Sequence, residues 1–164
     1  MNVAFDIAST LSQTVKATHN PKYDNTPFSQ LPHLHSRTKG KLFETIVAEV
    51  LANEGHEVFD STNQQHDMKV RFSGEMHKTK IEIKGALERI ADDKFYTGSI
   101  VMADDFDEVF LLFIFPTKIQ GWRVNRSILR GMEADGILKP GKGAYIFADI
   151  DESTMIKYDC TKVF

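Results

Sequence analysis

The sequence predicts a single α/β domain in which a central mixed β-sheet is flanked by helices. Residues 36–53 repeat apolar side chains at helical spacing, and 109–115 form a continuous apolar run typical of a strand buried on both faces. Between them, 67–72 and 79–84 alternate apolar and polar residues, as half-buried strands do. A chain of 164 residues has room for one domain of ordinary size with a real core.

The composition predicts a soluble, intracellular protein. Hydrophobic residues make up 41% of the chain and charged residues 26%, and no apolar run is long enough to span a bilayer, so no membrane partner is expected. The N-terminus lacks the basic and apolar regions of a secretory signal. Cys160 is the single cysteine, which excludes an intrachain disulfide and a cysteine-based zinc site and favours a reducing, cytoplasmic location.

The formal net charge of −3 counts against tight non-specific binding to nucleic acid. Such binding depends on neutralised phosphates, and an excess of basic residues is its usual sign. Net charge does not report where the charges lie, so a local basic face remains compatible with this sequence.

Before the long helix the sequence carries little pattern. Ala4–Val15 is predicted to form a short helix, and Asn20–Pro32, with three prolines and several turn formers, an extended loop. The helix at Ser36–Asn53 is the most strongly patterned element, and Gly55 is its expected stop. Its apolar positions are Leu42, Phe43, Ile46, Val47, Val50 and Leu51.

A hairpin is predicted after the long helix. His56–Asp60 is a short strand, and a polar loop follows at Ser61–His66. Two alternating strands, Asp67–Phe72 and Thr79–Lys84, then flank a turn that contains Gly74.

Downstream of the hairpin the sequence predicts a second helix and a buried strand. The helix is expected at Gly85–Lys94, and the strand at Val109–Phe115 ends before Pro116. The remaining predicted elements are strands at Trp122–Val124, Ala144–Ile150 and Met155–Tyr158 and a short helix at Arg126–Ala134.

Two carboxylates and a lysine lie on the predicted hairpin. In Lys80-Ile-Glu-Ile-Lys84, strand alternation directs Ile81 and Ile83 to one face, beneath the long helix, and Glu82 and Lys84 to the other. Asp67, at the head of the neighbouring strand, reaches the same place if the register allows it. The three polar side chains are therefore expected to meet.

This set of residues suits metal-assisted cleavage of a phosphodiester. Two carboxylates hold a hard divalent cation, the carbonyl of Ile83 is an expected further oxygen ligand, and a lysine handles negative charge or a proton at the attacking water. Mg²⁺ is the predicted cofactor, and Mn²⁺ is expected to substitute for it. Exposed strands also carry Glu and Lys as cross-strand ion pairs, so an α/β interaction protein without metal is an alternative.

The order of elements resembles the PD-(D/E)XK nuclease superfamily, the fold of restriction endonucleases and of many resolvases and repair nucleases. The motif here is His66-Asp67, fourteen intervening residues, then Glu82-Ile83-Lys84, with His66 where the family usually has proline. The resemblance covers about residues 36–116. It treats 1–164 as one nuclease domain, with 1–35 as an N-terminal extension and 117–164 as a candidate DNA-contact or dimer element.

The resemblance implies a restriction endonuclease-like core and a role for each motif residue. Asp67 and Glu82 would be metal ligands, Lys84 would position or activate the attacking water, and Glu44 on the first helix would assist. The expected activity is that of an Mg²⁺-dependent DNA endonuclease, acting as a homodimer if both strands are cut. Asp60 is an alternative to Asp67, whereas Glu49 is a poorer candidate because it should face away from Glu44.

Other readings of the same fold remain open. It could serve a structure-selective junction nuclease, a toxin-like nuclease, or a DNA-binding or assembly module without catalysis. Retention of Asp67, Glu82 and Lys84 argues against lost catalysis.

Several residues outside the motif are candidates for DNA contact. Aromatic and basic side chains near a nuclease cleft can stack on bases or contact phosphates. The DNA-binding candidates are Lys94, Tyr96, Arg123, Arg126, Arg130 and Lys142. The acidic run at 104–108 is expected to lie away from DNA, and His66 is expected to be a surface histidine.

No nucleotide cofactor is expected. Gly136–Gly143 approaches a phosphate-binding loop, but Gly143 stands where a Ser or Thr should hold the metal, and no strand precedes the segment. A basic turn around Lys142 explains it better. The pair His33 and His35 fits no zinc spacing, and a solvated loop is the simpler interpretation.

Overall fold

The computed structural model describes residues 19–61 and 65–164. The helix predicted at Ala4–Val15 and part of the loop at Ser61–His66 lie outside these ranges. The helices and strands, in chain order, are α1 (Ser36–Asn53), β1 (Glu57–Asp60), β2 (Met68–Arg71), β3 (Thr79–Leu87), β4 (Glu108–Ile114), β5 (Ile119–Asn125), α2 (Arg126–Ala134), β6 (Leu138–Pro140), β7 (Tyr145–Phe147), α3 (Glu152–Lys157) and β8 (Thr161–Lys162).

Six of the strands form one mixed sheet, which confirms the predicted mixed α/β architecture. Their order is β1-β2-β3-β4-β5-β8. Strands β3 and β4 run parallel, and every other pair in this sheet is antiparallel. Strands β6 and β7 form a separate hairpin.

Both faces of the sheet are covered, so β4 is buried on both sides as predicted. On one face α1 packs Phe43, Val47 and Leu51 over Ile81 and Ile83 of β3. The other face meets α2, α3 and the segment before β4. Residues of this second core include Phe95, Phe106, Leu129, Met132 and Met155.

Helix α1 has the bounds that its periodicity predicts. The Glu54 N–H donates to the carbonyl of Val50 at 3.0 Å, and Gly55 then adopts φ +85°, a left-handed conformation in which glycine is not strained. The chain reverses there and enters β1 directly. This short connection places the N-terminal half of α1 over the middle of β3.

The helix predicted at Gly85–Lys94 is wrong. Strand β3 continues through Leu87, because Gly85 to Leu87 pair in parallel with Leu112 to Ile114 of β4. The chain then crosses from β3 to β4 through bends and isolated bridges instead of a helix. Pairing with a distant strand overrides the local helical propensity.

Gly85 is required where it lies, beneath the ring of Phe43. A Cβ at Gly85 would lie much closer to the Phe43 ring carbons than van der Waals contact allows, and Phe43 is itself buried. We expect Gly85→Ala to lower the free energy of unfolding by about 1–3 kcal/mol, the usual effect of overpacking a core. Denaturant unfolding measures this, with Gly98→Ala as the control because a Cβ there meets only ordinary contact. Equal stability of Gly85→Ala and wild type would contradict the packing.

The segment before α1 differs from the extended loop predicted at Asn20–Pro32. It contains two short 3₁₀ turns, at Pro21–Tyr23 and Leu31–His33. Tyr23 is buried; its hydroxyl donates to the carbonyl of Ile114 and accepts from the N–H of Glu88 at 2.8 Å. The segment is therefore part of the core.

The strand predicted at Met155–Tyr158 is also wrong, because that segment belongs to α3. A capping box starts this helix, with the Asp151 carboxylate accepting from the N–H of Thr154 at 2.8 Å. Strand β5 is longer than predicted, β7 is shorter, and β8 has no sequence signal. Helix α2 matches its predicted bounds. Within the described residues no helix is both long and apolar enough to cross a membrane.

Candidate active site

The carboxylate–lysine site lies where β2 begins beside the middle of β3. Asp67 immediately precedes β2, and its backbone N–H donates to the carbonyl of Ile81 at 2.9 Å. Its carboxylate accepts from the backbone N–H of Ile83 at 2.6 Å. The Asp67 side chain thus accepts the hydrogen bond that a backbone carbonyl would accept if β2 continued, and this bond holds Asp67 against β3.

Glu82 and Lys84 occupy alternate positions on β3, as the sequence predicts. Lys84 Nζ lies 2.6 Å from a Glu82 carboxylate oxygen, and the two side chains are only 21% and 16% exposed. Ile81 and Ile83, between them, belong to the core beneath α1. Alternation along the strand therefore separates the packing residues from the polar pair.

Glu44 shares a cleft with Asp67 and Lys84, whereas Glu82 is not among the residues that line this cleft. The cleft has a volume of about 590 Å³. Glu44 projects from the third turn of α1 and is ion-paired with Lys41 at 2.7 Å. Helix packing over β3 thus brings residues about 20 and 40 positions apart in the chain to one cleft.

Burial raises the pKa of both carboxyl groups. For Asp67, burial opposes ionisation more strongly than the Ile83 N–H and Lys84 favour it, and Glu44 raises the pKa further. For Glu82, burial again dominates; Lys84 lowers the pKa, whereas Asp67 raises it. The two carboxylates are therefore close enough to repel each other in a partly desolvated place. A bound cation would relieve both effects.

The oxygen ligands available here fit a hard divalent cation. The N–H and C=O of a strand residue point to the same side, so the carbonyl of Ile83 lies on the edge that faces Asp67. Strand β2 pairs with β3 only over Thr79 to Ile81, so this carbonyl lies beyond the last pair. Mg²⁺ is commonly held by one or two carboxylates, with water or phosphate oxygens completing the octahedron.

Additional protein ligands are not gathered around this pair. Within the described residues no three His, Cys, Asp or Glu side chains lie close enough to hold a metal ion. Asp60 and Glu49 line a smaller neighbouring cavity of about 190 Å³ that also contacts Glu44 and Asp67. Both are exposed, and only Asp67 is anchored to β3, which favours Asp67 over Asp60 as the ligand.

His66 is buried, so its prediction as a surface histidine is wrong. It is 2% exposed, and its Nδ1 lies 3.1 Å from the carbonyl of Asp105. Its Nε2 has no hydrogen-bond partner among the described residues. The ring fills the space between the motif and the acidic segment that precedes β4.

That acidic segment lies beside the site, and its expected position away from DNA stays a prediction. Lys80 Nζ pairs with Asp105 at 2.7 Å, and the Lys80 N–H donates to the Asp107 carboxylate at 2.8 Å. Asp104 is near enough to contribute to the raised pKa of Glu82. Local sequence gave no signal of this, because the contacts join β3 to residues about 25 positions later.

Two of the three arginines predicted to contact DNA are held by protein groups. Arg123 forms a two-point ion pair with Glu108 at 2.7 and 3.0 Å and stacks on Phe72. Arg126 donates to the carbonyls of Met102 and Asp104 at 2.9 and 2.6 Å. Because both guanidinium groups already bind protein groups, DNA contact by these two residues stays a prediction.

The other DNA-contact candidates are exposed. Lys94 precedes a bridge to Ile150, Arg130 lies on α2, and Lys142 lies in the turn between β6 and β7. Tyr96 is 54% exposed and lines a cavity together with Lys84. That cavity adjoins the cleft that Asp67 and Glu44 line, which places Tyr96 beside the carboxylate–lysine site.

Fold and site together define a mixed α/β protein with a carboxylate–lysine cleft at the sheet. No protein-family model matches the chain, and no curated protein matches it in sequence. Among solved structures, the chain is similar to a bacterial homing endonuclease, with 11% sequence identity and a TM-score of 0.47. The similarity covers 72% of this chain and 78% of that one.

Proposed function

We propose that this protein is a metal-dependent DNA endonuclease with a restriction endonuclease-like core and a PD-(D/E)XK-type site. The observation that carries the proposal is the clamp between Asp67 and the Ile83 N–H, beside the Glu82–Lys84 pair. It joins a half-buried carboxylate to the strand that carries the second carboxylate and the lysine. A plain surface ion pair needs neither burial nor two carboxylates with raised pKa.

The proposed work of each residue follows from its position. Asp67, Glu82 and the carbonyl of Ile83 would hold Mg²⁺, or Mn²⁺ in its place, which supplies Lewis-acid stabilisation of the phosphate. Lys84 Nζ donates hydrogen bonds to the attacking water and to the phosphate oxygens, where negative charge develops. Glu44, on the far wall, accepts a hydrogen bond from a water in the cleft and is kept there by Lys41.

The proposed substrate is a DNA phosphodiester, and each site treats one scissile bond. Cutting both strands of a duplex in one binding event therefore requires two copies of the site, which is the reason for proposing a homodimer. Sequential nicking by a monomer gives the same final product more slowly.

Supercoiled plasmid tests the proposed activity. In Mg²⁺ we expect wild-type protein to convert it to nicked or linear forms, and a chelator to stop the conversion. Asp67→Ala should lose this activity, because the metal site then retains one carboxylate. Asp60→Asn is the matched control, since it neutralises the neighbouring exposed aspartate and should keep activity.

Two outcomes would contradict the proposal. Equal conversion by wild type and Asp67→Ala would place the chemistry elsewhere. Absence of cleavage with plasmid, branched DNA and RNA, in Mg²⁺ and in Mn²⁺, would favour a binding module. Discrete products in place of a smear would indicate sequence specificity.

A further inference from the structure

The candidate active site opens into a longer groove along the free edge of β3. Strand β2 covers that edge only as far as Ile81, although β3 continues to Leu87. The cleft that contains Asp67 shares Gly40, Ile83 and Lys84 with a second cavity of about 440 Å³. We call these two adjoining cavities the α1–β3 groove.

One wall of the α1–β3 groove carries two cations that form no ion pair with any described residue. Arg37 and Lys39, on the first turns of α1, line it, and neither pairs with a carboxylate within the described residues. Lys39 is half-buried, so the surrounding residues restrict the positions that its side chain can take. By contrast, Lys41 is paired with Glu44 and Lys84 with Glu82. The described residues that line the second cavity include no acidic side chain, so the part of the groove beyond the carboxylates carries the charge of Lys39 despite the net charge of −3.

The opposite wall carries an exposed aromatic ring on a fixed backbone. Tyr96 is 54% exposed, yet Phe95 and Thr97 on either side of it are buried. Their backbone N–H groups donate to the carbonyls of Ile150 at 2.8 Å and Phe147 at 3.2 Å. Such anchoring lowers the entropy lost when a ligand stacks on the ring.

We propose that the α1–β3 groove binds a single nucleic-acid strand beside the scissile phosphate. Arg37 and Lys39 would contact backbone phosphates, and Tyr96 would stack on a base. A positive wall combined with an aromatic platform is the common design of single-strand sites. A base paired within a duplex has no free face for Tyr96, so the preferred substrate would be single-stranded or have a splayed segment.

This inference rests on the proposed nuclease function, because only a nuclease has a scissile phosphate. Its test, however, measures binding alone. The probe is a fluorescein-labelled single-stranded DNA oligonucleotide, compared with its duplex by fluorescence anisotropy in chelator. We expect wild type to bind the single strand at least tenfold more tightly. Tyr96→Leu should weaken single-strand binding roughly 5- to 100-fold, the range for loss of one stacked base, and Tyr96→Phe should not.

Substitutions of Lys39 test whether its positive charge contributes to binding. Lys39→Ala should reduce the salt dependence of binding by about 0.7 in the slope of log affinity against log salt, as expected for one lost phosphate contact. Lys39→Arg should restore it. Lys157→Ala removes an exposed cation on α3, which does not line the groove, and should change neither affinity nor slope.

The outcomes distinguish this inference from the proposed function. Single-strand binding that depends on Lys39 and Tyr96, without any cleavage, would uphold the groove and overturn the nuclease. Metal-dependent cleavage by a protein whose Tyr96→Leu and Lys39→Ala variants bind like wild type would uphold the nuclease and overturn the groove. Preference for the duplex would also overturn the groove inference.

Discussion

Replacing Lys84 by methionine is expected to lower the rate of DNA cleavage by about 100- to 1000-fold while leaving metal binding intact. The size is that of losing one preorganised donor to a developing negative charge. Metal binding should persist or tighten, because Lys84 Nζ now lies 2.6 Å from the Glu82 carboxylate and competes with any cation for it. Single-turnover plasmid nicking and Mn²⁺ calorimetry measure the two effects separately.

Lys80→Met is the matched control for that substitution. Lys80 lies on the same strand and is also ion-paired, but with Asp105 at 2.7 Å. It should keep full activity if Lys84 acts through its position in the cleft. Equal losses of activity in the two variants would mean that the ion pairs of β3 serve only its structure. Lys84 would then have no role in the chemistry.

Asp67→Asn is expected to abolish cleavage and yet make the metal-free protein at least as stable as wild type. Burial raises the pKa of Asp67, so its ionised form opposes folding at neutral pH. Asparagine removes that charge while its side-chain oxygen can still accept from the Ile83 N–H. A residue that destabilises the fold but is needed for activity is the pattern expected of a catalytic site.

The raised pKa of Asp67 determines how the stability difference between Asp67→Asn and wild type changes with pH. A carboxyl group with a raised folded-state pKa favours folding most at low pH, and this contribution is lost as pH rises through that pKa. The stability advantage of Asp67→Asn should therefore be greatest at neutral to alkaline pH and shrink on acidification. Thermal unfolding of both proteins in chelator, at acidic and at alkaline pH, measures this difference in stability. A variant less stable than wild type at neutral pH would contradict the claim that the ionised Asp67 opposes folding.

The elements that could be predicted are those specified by their own sequence. The periodicity of α1, the alternation in β3 and the apolar run of β4 each report a buried face directly. The helix predicted at Gly85–Lys94 failed because parallel pairing with β4 and the close approach of Phe43 to Gly85 extend the strand. The strand predicted at Met155–Tyr158 failed because the capping box between Asp151 and Thr154 starts a helix there.

The site was predictable in part for the same reason. Alternation separates Glu82 and Lys84 from the isoleucines, and antiparallel pairing of β2 with β3 brings Asp67 alongside. The burial of His66 and the pairing of Arg123 with Glu108 depend on the β4–β5 register and on the acidic segment, which no local pattern encodes. The groove wall formed by Lys39 depends on how α1 crosses β3, a property of packing rather than of sequence spacing.

The claim on which the function depends is that Asp67 and Glu82 bind the same divalent cation. Calorimetric titration of Mn²⁺ into wild type, Asp67→Asn and Glu82→Gln tests it most directly, with Asp60→Asn as the control. We predict one saturable site in wild type and in Asp60→Asn, and its loss in both site variants. Unchanged Mn²⁺ affinity in Asp67→Asn and Glu82→Gln, or no binding to the wild-type protein, would contradict the account.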